Sequence, residues 1–443
     1  MSKNESIKYR YDYHISAKFG WLNDPNGLCW FNDRFHVFFQ TNPFGNKPGK
    51  SHWGHVSSEN LVDWQEEEFA LKPDQDYDQD GCYSGSAIAY EGKLVLMYTG
   101  HKNLPNSYVE SQCIAVSKDG ITFEKVVENP VIATPPIDNT NRFRDPKIGR
   151  DKNGIYAVVG GESDQNRGQV NFYRMEETII NWQYQKKLAV AQKKDGTMWE
   201  CPDYFELEDE SILIISPKGM ENAGISGFAA VYLQGNFTLE EPLTTYEMTL
   251  IDEGQDFYAP QTFWDPIKKR RIMFGWFGMP GLQEKEQQKQ VGALTIPRVL
   301  DKREGRLYFL PLPELIQLRT KEKIIQSTSE IDECSEIVLS NLNNYSKIHL
   351  RIYTKQKHSY YEIDYKDQTV TISFKDTLRD VQQSKEINML KELRLFLDHG
   401  LTELFINEGE FTFTNKCDLT GSLQIDISEA IQAKCYKLRK AVA

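Results

Sequence analysis

Five short apolar runs recur through the first two thirds of the chain at a nearly constant spacing, and that period admits few folds. They begin at Phe35 (FHVFFQ), Leu94 (LVLMYTG), Ile155 (IYAVVGG), Ile212 (ILIISPKG) and Ile272 (IMFGWFG), at offsets of 59, 61, 57 and 60 residues. A polar turn precedes each run (FNDR, YEGK, GRDKNG, ELEDES, WDPIKKR), and another short apolar segment precedes each turn, so every unit opens on a β-hairpin. In the first four units a later aromatic, Trp64, Phe123, Trp182 and Phe237, recurs at offsets of 59, 59 and 55 and marks the last strand of a second hairpin. Four strands per unit, five units and no helical periodicity between them predict a five-bladed β-propeller.

The period stops near residue 320. Beyond it the segments KIHLRIYT, SYYEIDYK, TVTISFK, LRLFLD, TELFIN and FTFTN alternate apolar and polar residues, as half-buried antiparallel strands do. The expected fold class is therefore all-β, a five-bladed β-propeller (1–319) followed by a C-terminal β-sandwich (320–443). The connection RLYFLPLPELIQLR reads as a packed linker, and the second module, which concentrates no acids, histidines or glycine-rich loops, reads as structural.

Composition narrows the chemistry. A net charge of -12 disfavours nucleic acid and anionic membranes, both of which need clustered Lys and Arg, and leaves a small or neutral partner. No apolar run reaches the length of a membrane span, and the start, MSKNESIKYR, lacks the apolar stretch of a signal peptide, so a cytoplasmic location is expected. The seven cysteines (29, 82, 113, 201, 334, 417 and 435) form no CxxC pair, which predicts reduced thiols and neither a disulfide framework nor a zinc site. No metal or cofactor is expected, and oligomeric state is not legible.

The repeat also locates a site. WLNDPNG (21–27), CYSGS (82–86), FRDP (143–146), WECPD (199–203) and DFYAP (256–260) stand at one phase of the five units, just before the first hairpin. Asp24, Ser84, Asp145, Glu200 and Tyr258 precede their reference strands by 11, 10, 10, 12 and 14 residues. Rotation about a propeller axis brings equivalent positions to one funnel, so Asp24, Asp145 and Glu200 should converge there. Three crowded carboxylates raise the pKa of at least one of them and prepare an acid/base pair. Each motif alone is ordinary, Asp-Pro-Asn-Gly being a strong turn former anywhere. Their shared phase carries the signal.

With HWGH (52–55), YSGS (83–86) and DFYAPQ (256–261), these motifs closely resemble glycoside hydrolase family 32, the invertases, sucrose-6-phosphate hydrolases, inulinases and levanases, over essentially the whole chain. The resemblance implies a retaining β-fructofuranosidase without a metal. Asp24 would be the nucleophile, Glu200 the acid/base, and Asp145 the group holding ring hydroxyls. Asn23, Gln40, Ser84 and Arg144 would hydrogen-bond the fructosyl unit, while Trp21, Trp53, Tyr83, Tyr258 and Trp276 would wall it. Tyr83 stands where the family often has Trp or Phe, and Gly400 in DHGLTELFIN replaces a Ser of the family's D-x-S-x-x-E-x-F pattern.

The substrate stays open between sucrose 6-phosphate, sucrose and short fructans, and transfer to another sugar differs from hydrolysis only in the acceptor. A carbohydrate-binding propeller without catalysis would require the loss of an acid, and none is missing. For a phosphorylated substrate the candidate cations are Lys47 and Lys50 before HWGH and His52 at its start, then Arg142 and Lys218.

Overall fold

The computed structural model describes residues 11–221, 227–235, 237–280, 289–355, 358–428 and 431–442. They form two compact units, one of Ser16–Ile251 and Phe257–Leu294, the other drawn from Tyr9–Ile15, Asp252–Asp256 and Thr295–Ala443. Residues 295–319, which the sequence groups with the repeat, fall in the second unit.

The first unit is a five-bladed β-propeller. Blade one runs Gly20–Phe31, Arg34–Asn42, His52–Ser58 and Gln65–Glu66, and blade two Gly81–Tyr90, Lys93–Leu104, Ser107–Ser117 and Glu124–Lys125. Blade three runs Asn139–Asp151, Gly154–Ser163, Gly168–Met175 and Trp182–Val190, and blade four Asp195–Leu207, Glu210–Met220, Val231–Gln234 and Glu247–Leu250. Blade five opens with Phe257–Asp265 and Arg270–Phe277, against which Ala293–Leu294 pairs. Each opening strand touches that of the next blade, and the fifth touches the first, so the five first strands close a ring. Gln290–Val291 adds to this closure by pairing with Gly20 and Trp21.

The acidic motifs lie within these inner strands and not before them, because the ladder to the second strand resumes across each motif. It is interrupted by a register shift at the same place in every blade: between Leu22 and Pro25, Tyr83 and Gly85, Arg144 and Lys147, Glu200 and Asp203, and Tyr258 and Gln261. Bulges re-aim side chains, and here Asp145, Cys201 and Ala259 take left-handed backbone with φ of 63°, 48° and 48°. Asp adopts this region more readily than most residues.

In the second unit two six-stranded antiparallel sheets enclose one apolar core, which includes Ile337, Leu350, Ile363, Phe374, Leu395 and Phe413. All six alternating segments of the sequence are strands of it. RLYFLPLPELIQLR is more than a linker: Arg306–Pro311 pairs with Arg298–Arg303 as a hairpin, and a short 3-10 helix, Pro313–Leu318, buries Leu315 and Leu318. Gly400 occupies a left-handed turn (φ 92°) where a Cβ would lie 2.4 Å from the Cys417 carbonyl, so the glycine suits this backbone.

The acids of DHGLTELF hold a buried charge network within this unit. Asp398 accepts from the amides of Asp12, Tyr13 and His14 and from His14 Nδ1 (2.9 Å), and His14 Nε2 meets Glu403 (3.0 Å). Arg298, with no exposed side chain, donates to Glu403 (2.6 Å), Asp252 (2.8 Å), Thr412 and Thr414. Burial opposes a charge on His14, but the two carboxylates raise it to about 9. Arg298→Ala strands two buried carboxylates and should cost roughly 3–5 kcal/mol of stability. Urea unfolding measures it, and a loss below about 1 kcal/mol would show that the network relaxes without the guanidinium.

Candidate active site

The N-terminal half of each first strand, the end of the second strand and the connection to the third share one end of a blade, because neighbouring strands are antiparallel. At that end lies a cavity of about 540 Å³. Asp24, Asp145 and Glu200 all line it, from blades one, three and four, so the convergence expected from the repeat is present.

Asp24 is held from behind. Ser84 Oγ donates to its Oδ2 at 2.7 Å, Gln40 Nε2 donates to Ser84 Oγ, and Ser51 Oγ donates to Gln40 Oε1 at 3.1 Å. Asn23 accepts from Trp21 Nε1 at 2.9 Å. Cys201 joins two of the acids, its Sγ lying 3.7 Å from Asp24 Oδ2 and 3.6 Å from Asp145 Oδ2, while its amide donates to Asp145 at 3.0 Å. Glu200 accepts from Arg144 Nη2 at 2.5 Å and from the Tyr258 hydroxyl at 2.7 Å. Arg144 is fixed on its other side by Glu110, 3.1 Å from Nη1.

These surroundings separate the three acids. Burial pushes the Asp145 carboxyl up to about 8; the charge of Arg144 opposes this, and Glu200 and Asp24 reinforce it. Asp24 is also raised by burial, against the hydrogen bonds of Ser84 and Asn23. Glu200 goes the other way: burial would raise it, but Arg144, Tyr258 and the charge of Lys218 hold it below its ordinary value. Near neutral pH the cluster thus keeps a proton on Asp145.

A carboxyl raised from 3.8 to about 8 by the fold favours folding most below the unfolded value, and that contribution is lost as pH rises through about 8. Asp145→Asn removes this titration. The melting temperature of the variant relative to the parent should climb between pH 4 and 8, and a flat difference across that range would refute the assignment.

The remaining expected residues divide. Trp21, Asn23, Gln40, Tyr83, Arg144, Tyr258 and Trp276 line the cavity, and Ser84 stands behind Asp24. Trp53 does not line it. The ring lies on the third strand of blade one, fully buried against Phe38 and Tyr98, and its Nε1 donates to the Tyr83 carbonyl, so it supports the site from the core. Lys47 and Lys50 are exposed and outside the cavity lining, although Pro48, Gly49 and Ser51 between and beside them are part of it. His52 is buried between Phe44 and Phe69 and lies outside the cavity lining, and burial lowers its pKa, which disfavours a charge there.

His101, Tyr108 and Glu110 line the cavity without having been expected there. His101 stacks on Tyr83 with centroids 4.4 Å apart, and its Nδ1 lies 3.5 Å from Glu110. They flank the connection between the second and third strands of blade two, the chain position equivalent to that of Pro48 and Gly49 in blade one. Following that connection through every unit of the repeat would have found them.

Residues 14–311 match the family model described as the glycosyl hydrolases family 32 N-terminal domain. The chain is 34% identical to a sucrose-6-phosphate hydrolase of Escherichia coli, across 91% of this chain and 88% of that one. It is likewise 34% identical to a sucrose-6-phosphate hydrolase of Bacillus subtilis, across 94% and 92%. Its structure is similar to that of a β-fructofuranosidase from Bombyx mori, with a TM-score of 0.89, 32% identity and coverage of 98% and 95%; a variant of that enzyme is known in complex with sucrose. With the family's acids gathered in one cavity of a five-bladed propeller, the chain belongs to glycosyl hydrolase family 32.

Proposed function

We propose that the protein is a retaining β-fructofuranosidase that cleaves the fructosyl bond of sucrose 6-phosphate, and of sucrose less efficiently, releasing fructose. The observation that carries this reading is that Asp24 and Glu200 face one cavity from different blades, with Asp145 beside both. Retaining hydrolysis needs this pair, one carboxylate to form a covalent fructosyl intermediate and one carboxyl to protonate the departing oxygen and then activate water.

Asp24 serves as nucleophile: Ser84, backed by Gln40, fixes one of its oxygens and opposes the burial that would protonate it. Glu200 serves as acid/base, for which it must carry a proton. As the side chains stand, Arg144 and Tyr258 hold it ionised and the proton rests on Asp145. Ring hydroxyls that hydrogen-bond Arg144 and Asp145 would draw the guanidinium from Glu200 and offset the burial of a charged Asp145. Both changes shift the shared proton toward Glu200 as the sugar is clamped. Trp21, Tyr258 and Trp276, packed edge to face at centroid distances of 5.6 and 6.5 Å, form the apolar wall.

A cytoplasmic enzyme fits these features. The seven cysteines are all free and buried, as in a reducing compartment, and no helix among the described residues is long and apolar enough to cross a membrane. Assay of the purified protein on sucrose, its 6-phosphate and a short inulin series tests the assignment. Fructose release with the lowest KM for sucrose 6-phosphate is expected. Equal KM values for the two disaccharides at low salt would reduce the reading to a plain invertase, and a preference for the inulin series would turn it toward a fructan hydrolase.

A further inference from the structure

We propose that Lys218 is the residue by which this enzyme recognises a phosphate on the leaving group of its substrate, an assignment that rests on the fructosidase reading above. Three Lys and Arg side chains line the cavity: Arg142, Arg144 and Lys218. Two of them are already neutralised. Arg142 lies 2.9 Å from Glu162, and Arg144 lies between Glu110 and Glu200. Lys218 has no carboxylate at ion-pair distance among the described residues; its ammonium lies 5.7 Å from the ring centroid of Phe228.

The side chain is half-buried beside an aromatic face, and its charge is felt by Glu200 without any carboxylate of the described residues in contact with it. An anionic ligand group would supply a counter-ion through a charge-assisted hydrogen bond. The need is real for this protein, because a net charge of -12 repels a phosphorylated sugar unless a local cation offsets it.

Position selects Lys218 over the other cations. It stands on the strand Glu210–Met220, opposite Met198, while Ser216 of the same strand stands opposite Glu200. Phe228 contacts Tyr258 edge to face at 5.7 Å between centroids, and the Tyr258 hydroxyl reaches Glu200 at 2.7 Å. Lys218, Phe228 and Tyr258 therefore form a wall that is continuous with the acid. Glu200 must meet the glycosidic oxygen, so the departing glucosyl group lies along this wall, whereas Asp24 attacks from the opposite face of the anomeric carbon. Lys47 and Lys50 belong to blade one, which carries Asp24, and so lie on the side of the nucleophile.

Lys218→Gln and Lys218→Arg test the assignment. Lys218→Gln should raise KM for sucrose 6-phosphate about tenfold or more, the loss of one charge-assisted bond; loss of its charge near Glu200 acts on both sugars alike, so the ratio of their kcat/KM values is the readout, and that preference should collapse. Lys218→Arg should restore much of it. Inhibition by glucose 6-phosphate reads the same contact without turnover: its inhibition constant should rise by a similar factor in Lys218→Gln, with inorganic phosphate as the control for binding that needs no sugar. In the parent the preference should shrink as salt rises, and in Lys218→Gln it should show little salt dependence. A parent that does not prefer sucrose 6-phosphate overturns the substrate reading itself. A parent preference that survives in Lys218→Gln overturns the role of Lys218 and leaves the fructosidase reading standing.

Discussion

Asp24→Asn is expected to lower turnover of both sucrose and its 6-phosphate on the order of 10⁴-fold or more while the protein stays folded. The amide is nearly isosteric with the carboxylate, and its oxygen still accepts from Ser84, so the chain of Ser51, Gln40 and Ser84 keeps its hydrogen bonds. What the amide lacks is the negative oxygen that attacks the anomeric carbon and the stability of the resulting ester. Burial already raises the Asp24 carboxyl, so an uncharged group should be tolerated at that site without loss of stability. Initial-rate assays and thermal unfolding on the same preparation check both halves. Retention of more than about a tenth of parental turnover would exclude Asp24 as nucleophile.

Glu200→Gln should separate substrates by leaving group. Loss of a general acid costs about 10²–10⁴-fold where the departing alcohol needs a proton, as the glucosyl oxygen of sucrose does. An aryl fructoside with an acidic phenol leaves without one, so its first step should survive in the variant. The second step, in which Glu200 activates water, should then become rate-limiting, and the covalent intermediate should accumulate. Azide, which attacks without a base, should restore turnover of the aryl substrate and give a fructosyl azide of retained configuration. Equal losses on sucrose and the aryl fructoside, with no azide effect, would show that Glu200 is not the acid. Glu200 is bound by Arg144 and Tyr258 on separate oxygens, and the amide of Gln cannot accept on both, so its ring contacts should be checked by a substrate-affinity measurement in parallel.

The sequence by itself determined the propeller, the identity of its three acids and the strands of the second unit. A repeat fixes phase, and residues at one phase of a closed ring must meet, so Asp24, Asp145 and Glu200 were legible without any knowledge of their distances. Alternation did the same for segments such as SYYEIDYK and TVTISFK, because a period of two with one apolar face admits one register against a core, whereas Leu401–Ile406 and Phe411–Lys416 are buried on both faces. Tertiary structure decided the rest. The bulge in each inner strand, which turns Asp145 and Cys201 into left-handed backbone, depends on the pairing with the second strand and leaves no composition signal of its own. Trp53 and His52, adjacent to the cavity in sequence, are consecutive residues of a third strand and point to opposite faces of it, Trp53 against Phe38 and Tyr98 and His52 between Phe44 and Phe69, packing that no local pattern reveals. The partners of Arg298 and His14 lie 105 and 389 residues away along the chain, so their ion pairs exist only once the fold has brought them together. The distribution of charge among the three acids belongs to the same class. Asp145 is raised and Glu200 lowered although both are carboxylates at one phase of the repeat, because the guanidinium of Arg144, neighbour of Asp145 in the chain, is turned in the fold toward Glu200.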